Sequence, residues 1–250
     1  MSETVVVVVR QDGNVYGSDV DVRGRSLGPV FKFNGAKIGY NPEDRFMTFV
    51  DATLVVVRKD GNVYGSNMSI GRSLGPVFKF SGAKIGYNPE DRFMMANSTF
   101  GRTLVVVRQD GDVYGSRVGF NPEVGSFLNP VFKFDGAKIG YNPEDRFMVS
   151  YGGTLMVVTQ DGSVYASKVG HESLFPIFKF DGAKIGYNPE DRFMTAIGNS
   201  LAVITRDGDV YGSDVDIEAR SLGPIFKFDG AKIGYNPEDR FLMSYTQPIF

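Results

Sequence analysis

One twelve-residue segment, Gly-Ala-Lys-Ile-Gly-Tyr-Asn-Pro-Glu-Asp-Arg-Phe, occurs five times without a change, starting at Gly35, Gly82, Gly136, Gly182 and Gly230. The spacings are 47, 54, 46 and 48 residues. A second marker, Asp-Gly-x-Val-Tyr, begins at Asp12, Asp60, Asp110, Asp161 and Asp207. Units of this length, repeated five times, take up almost all of the 250 residues. A fixed period in this range marks an array of like supersecondary units. The expectation is therefore one domain over 1–250, with repeats at about 4–52, 53–102, 103–153, 154–200 and 201–250.

Each unit reads as β-structure. Thr53-Leu54-Val55-Val56-Val57-Arg58 is β-branched and apolar on both faces. Asp60-Gly61 follows, a favoured two-residue hairpin turn, and Val63-Tyr64-Gly65-Ser66 reads as the returning strand. Pro76-Val77-Phe78-Lys79-Phe80 alternates and suggests a third strand, with Ala83-Lys84-Ile85-Gly86 continuing it past a bulge at Gly82. Lys32, Lys79, Lys133, Lys179 and Lys227 then face outward between phenylalanines. Arg92-Phe93-Met94-Met95 begins a fourth strand. No segment holds a 3.6-residue apolar period, so the chain is all-β.

Four short strands at this period suggest propeller blades. A sheet with one wet face alternates, whereas a blade packed between two neighbours is apolar on both sides. Five units do not fit a trefoil, and an open solenoid needs polar terminal units that this sequence lacks. The expected fold is a five-bladed β-propeller. The chain starts at the Val-rich strand Thr4 to Val9 and reaches one strand past the fifth Ile-Gly turn, at Phe241-Leu242-Met243-Ser244-Tyr245. That phase places the last strand innermost in the first blade and closes the ring by pairing the two ends.

Composition narrows function by exclusion. With 27 basic and 29 acidic residues the net charge is −2, which argues against phosphate neutralisation and hence against nucleic acid. There is no cysteine and one histidine, His171, which removes disulfides, thiol nucleophiles and His-rich metal sites; no cofactor is expected. Asp110-Gly111-Asp112 and Asp207-Gly208-Asp209 lack the other ligands of a calcium loop. Val5 to Val9 is too short for a membrane span or a signal peptide's apolar segment. The expectation is a soluble monomer, cytoplasmic or released without a visible signal peptide, with no membrane insertion.

The repeated loop is the candidate site. Its sets are Tyr40, Asn41, Asp44 and Arg45; Tyr87, Asn88, Asp91 and Arg92; Tyr141, Asn142, Asp145 and Arg146; Tyr187, Asn188, Asp191 and Arg192; and Tyr235, Asn236, Asp239 and Arg240. An aromatic face, an amide, a carboxylate and a guanidinium are the groups that stack on a sugar ring and hold its hydroxyls. A structural reading competes. Asn-Pro starts a turn, Asp bonds backbone N–H groups within it, and Arg pairs with a carboxylate of the next blade. Adjacent carboxylates such as Glu43-Asp44 diverge, and five equal copies do not make the single asymmetric centre that catalysis uses, so an enzyme is not expected. The loops joining the second and third strands, such as Asp19 to Gly28 and Arg117 to Asn129, vary in length and charge; they are either drifted surface loops or rims that make the five pockets unequal.

The pattern resembles the tachylectin type of five-bladed propeller lectin. The resemblance rests on the unit length and count, on Lys37-Ile38-Gly39 before Phe46-Met47, and on Asp60-Gly61 before Val63-Tyr64, repeated around the chain. It implies one pocket for an N-acetylated amino sugar between each pair of blades, and glycans or glycoproteins as partners. The family's loop after Lys-Ile-Gly is rich in Gly-Gly-Trp, and this chain has Tyr-Asn-Pro-Glu-Asp-Arg and no tryptophan. Identity of the copies means recent amplification or deliberate copying; the alternative to a lectin is a structural or protein-interaction propeller scaffold, designed or amplified, with no natural ligand.

Overall fold

The computed structural model describes residues 2–69, 71–97, 102–123 and 125–248. The junction between the second and third sequence repeats, at 98–101, lies outside the described residues.

The described chain forms a five-bladed β-propeller. The second blade runs outward from the inner strand Asp44–Val50 through Thr53–Arg58 and Val63–Ser69 to a two-residue outer strand, Phe78–Lys79. The third, fourth and fifth blades repeat this order from inner strands Asp91–Asn97, Asp145–Tyr151 and Asp191–Ile197. In the first blade the inner strand is Asp239–Pro248, paired antiparallel with Ser2–Arg10 in a register running from Ser2↔Pro248 to Val9↔Phe241. The two ends thus close the ring as the phase of the repeats implies. Each blade is offset by one strand from its sequence repeat.

The apolar second strands explain the core. Val5, Val7 and Val9 pack against Leu54 and Val56 of the second blade, while Val6 and Val8 pack against Ala202 and Ile204 of the fifth. The same division recurs at every blade interface, so successive side chains serve opposite neighbours. Period-two geometry with both faces covered requires the unbroken Val-rich run. Burial of each such valine stabilises by roughly 1.5 kcal/mol or more.

Two local readings of the sequence need correction. The Asp-Gly hairpins are three-residue loops. Arg10 N–H donates to Asn14 O at 3.0 Å and Gly13 N–H to Arg10 O at 2.9 Å, with positive φ at Gly13 alone. This is a type I turn followed by a left-handed glycine, and the Asp carboxylate then accepts the N–H two residues on. Second, the segment after the outer strand does not extend it past a bulge. Ser81–Gly82 pairs parallel with Phe127 and Leu128 of the next blade. At Gly82 (φ +89°) an added Cβ would lie 2.3 Å from Leu128 O, and the other four copies are as close to their own leucine carbonyls. The glycine is there because one blade's backbone touches the next.

Candidate functional site

The repeated loop leads each blade into the next and is fixed by its own side chains. Asp44 Oδ2 accepts the Asn41 N–H at 2.9 Å, Asn41 Oδ1 accepts the Glu43 N–H at 2.9 Å, and Asp44 N–H donates to Asn41 O at 2.9 Å. The same Asn and Asp bonds recur in the other four copies. The five aspartates are buried; the tyrosines Tyr40, Tyr87, Tyr141, Tyr187 and Tyr235 are exposed and stand over the glycine of a hairpin.

The arginines do something the sequence reading did not foresee. A register shift leaves Arg45 outside the ladder, between Asp44↔Arg58 and Phe46↔Val57. A bulge re-aims a side chain, and Arg45 reaches the loop entering the next blade. It donates to Asn88 O at 2.6 Å, Pro89 O at 3.1 Å and Asp91 O. Arg92, Arg146, Arg192 and Arg240 make the same clamp on Asn142 O, Asn188 O, Asn236 O and Asn41 O at 2.7–2.8 Å. The expected partner was a neighbouring carboxylate. The actual partners are backbone carbonyls, because the turn exposes several oxygens to one planar donor. These five arginines tie the ring together.

The remaining loop groups face pockets between blades. Each loop aspartate lies opposite the last residue of a second strand: Arg10, Arg58, Arg108, Thr159 or Thr205. That one position divides the pockets. Arg58 Nε lies 3.1 Å from Asp44 Oδ1, and its guanidinium carbon stands 4.0 Å from the centroid of the Tyr64 ring. Arg10 does the same with Asp239 and Tyr16, at 3.1 and 4.1 Å, and Arg108 with Asp91 and Tyr114, at 3.3 and 4.0 Å. In three pockets the protein's own guanidinium therefore fills the space between carboxylate and ring.

In the other two, threonine leaves that space open. A cavity of about 620 Å³ is lined by Tyr187, Asn188, Glu190 and Asp191 from the loop and by Thr205, Asp207, Tyr211 and Ile225 from the fifth blade. A second, of about 420 Å³, is lined by Tyr141, Asn142, Glu144 and Asp145 with Thr159, Asp161, Tyr165 and Ile177. The threonine hydroxyls turn to the hairpin carboxylates: Thr159 Oγ1 donates to Asp161 Oδ1 at 2.6 Å, and Thr205 Oγ1 to Asp207 Oδ1. The Thr205 hydroxyl is the largest cause holding Asp207 at about 2, and Lys184 followed by Thr159 lowers Asp161 further. Asp145 and Asp191 are pushed up from the ordinary carboxylate value. Burial is the main cause, opposed by the loop N–H and by the charges of Arg92 and Arg146.

The structure thus brings Tyr, Asn and Asp of two nominated sets, Tyr141, Asn142, Asp145 and Tyr187, Asn188, Asp191, to open cavities, and commits Arg146 and Arg192 to the ring. It adds Thr159, Thr205, Tyr165 and Tyr211, which were not nominated. Setting the five copies of the strand end side by side, as Arg-Gln-Asp, Arg-Lys-Asp, Arg-Gln-Asp, Thr-Gln-Asp and Thr-Arg-Asp, would have exposed the division.

No family profile matches the chain, and no curated protein is similar to it in sequence. Among solved structures it is similar to apo AztD from Citrobacter koseri, at 10% identity and a TM-score of 0.42 over 97% of this chain and 62% of that one. The WD40 domain of SCAP from fission yeast gives 12% and 0.43, over 92% and 56%. BamB from Moraxella catarrhalis gives 15% and 0.30, over 92% and 62%. The chain spans about three fifths of the length of these structures, and the likenesses are too distant to bear on function. Among the described residues no helix is long and apolar enough to cross a membrane.

Proposed function

We propose that the chain is a non-enzymatic carbohydrate-binding propeller whose working sites are the two threonine pockets. One observation carries this reading: two inter-blade cavities within the ~300–1,000 Å³ range of ligand pockets stay open where three sister pockets are filled. Each open cavity offers an exposed tyrosine, an asparagine, a half-satisfied carboxylate and an isoleucine, a set suited to a sugar ring and its hydroxyls. The resemblance to tachylectin-type lectins supports N-acetylated amino sugars as the class. Two sites on one rigid ring favour a multivalent glycoprotein partner, since a second contact then forms at high effective concentration.

The test is a glycan array with wild type and a Thr159→Arg/Thr205→Arg variant. The reading expects a defined sugar class bound by wild type and lost in the folded variant. Silence from wild type would contradict it. The alternative, a structural or protein-interaction scaffold, draws support from the Asn, Asp and Arg side chains being bonded within the ring in all five copies. That alternative expects silence.

A further inference from the structure

The filled pockets record what the open ones are shaped to hold. In each of three pockets a guanidinium lies between a buried carboxylate, 3.1–3.3 Å away, and a tyrosine face, 4.0–4.1 Å away. In the open pockets the same two partners remain, Asp191 with Tyr211 and Asp145 with Tyr165, and all four line the cavities. The guanidinium is absent there, and both groups that hold it elsewhere line the cavity.

The cations close by are engaged elsewhere. Arg92 and Arg146, whose charges reach Asp145 and Asp191, clamp the backbone carbonyls of Asn142 and Asn188, Lys184 pairs with Asp161 at 2.7 Å, and Lys227 pairs with Asp209 at 2.8 Å. Lys179 and Lys227 approach the Tyr165 and Tyr211 rings only to 5.7 and 5.8 Å. Among the described residues no ion pair within 4.0 Å is formed by Asp145 or Asp191. Of the lining carboxylates, Asp207 pairs with Lys232, Glu190 with Arg206 and Asp161 with Lys184, which leaves Asp191 in one cavity and Asp145 and Glu144 in the other without an ion pair among the described residues.

We propose that the two threonine pockets are cation sites that accept a guanidinium group from a ligand, in the pose that Arg10, Arg58 and Arg108 hold in the sister pockets. The planar cation would donate to the aspartate Oδ1 and stack on the tyrosine, the two contacts already made three times in the molecule. This rests on the ligand-binding reading of the same pockets and moves the expected ligand from a neutral sugar to a positively charged one. Burial of an unpaired carboxylate, which pushes Asp145 and Asp191 up, is the condition that such a cation relieves.

The experiment is a two-dimensional NMR titration of the full chain with methylguanidinium, arginine amide, N-acetylglucosamine and, as an ionic-strength control, sodium chloride. The expected result is saturable binding of methylguanidinium at two equivalent sites, with shifts centred on Thr159, Tyr165, Thr205 and Tyr211. Affinity should fall by about tenfold or more in Thr159→Arg/Thr205→Arg, which supplies the missing cation, and in Asp145→Asn/Asp191→Asn, which removes its partner. Tighter binding of arginine amide than of methylguanidinium would identify an arginine side chain as the source; equal binding would identify a small free guanidinium. Binding that persists in both variants, or shifts no larger than those with sodium chloride, would overturn the proposal. If N-acetylglucosamine bound while guanidinium did not, the cation site would be wrong and the lectin reading would stand. If neither bound, both would fall.

Discussion

The second and fifth blades use the same loop and meet opposite ends. In one, Asp44 holds Arg58 against Tyr64, and the pocket is a finished piece of structure. In the other, Asp191 faces Thr205, and the pocket is a cavity. One residue at the end of the second strand makes the difference, because it stands directly across the ladder from the loop aspartate. A repeat that copies this loop without change can thus still vary whether the pocket beside it is filled, through a position outside that loop.

The largest effect expected of this contrast is on stability. Asp44→Ala strands the Arg58 guanidinium and the Asn41 N–H, and should cost about 3 kcal/mol. Asp191→Ala loses only the loop N–H bond and relieves an unpaired carboxylate, and should cost about 1 kcal/mol. Denaturant midpoints at pH 7 would compare them, and equal losses would break the contrast. Next, Arg58→Thr should open a third pocket at a cost of about 1–2 kcal/mol, raising ligand stoichiometry from two to three by calorimetry. In reverse, Thr205→Arg should close the fifth-blade pocket and stabilise the fold by up to about 1 kcal/mol, seen as a higher Tm.

The smallest effect is on pH dependence. Asp145 and Asp191 are raised in the folded state, so they hold protons that the unfolded chain releases near pH 4. Their contribution favours folding below that pH and is lost as pH rises through the folded values. Stability of wild type should therefore lose this share just above pH 4, and Thr159→Arg/Thr205→Arg should lose less of it. Denaturation curves stepped from pH 3.5 to 6.5 should separate, with the variant gaining on wild type as pH rises, and parallel profiles would count against unpaired carboxylates in the open pockets.

What the sequence shows of this follows from what repeats. Five copies fix the blade number, the unbroken Leu-Val-Val-Val run requires two covered faces, and the offset between Thr4 and Tyr245 fixes the closing strand. Local chemistry that depends on a neighbour is harder to read. Gly82 looks like a bulge until the next blade's Leu128 is beside it. Arg45 looks like half of an ion pair until a register shift aims it at carbonyls. The loop stands out because it is constant, and its Asn, Asp and Arg side chains are bonded within the ring. The residues that separate pockets are Arg10, Arg58, Arg108, Thr159 and Thr205, and only their place opposite the loop aspartates gives that variation meaning.

The most direct test of the division into filled and open pockets is a crystal structure of the full chain soaked in methylguanidinium. The account predicts density for the cation at Asp145–Tyr165 and Asp191–Tyr211, and the Arg10, Arg58 and Arg108 side chains seated on Asp239, Asp44 and Asp91. Arginines swung out of the other three pockets, or cation density shared equally among all five, would contradict it.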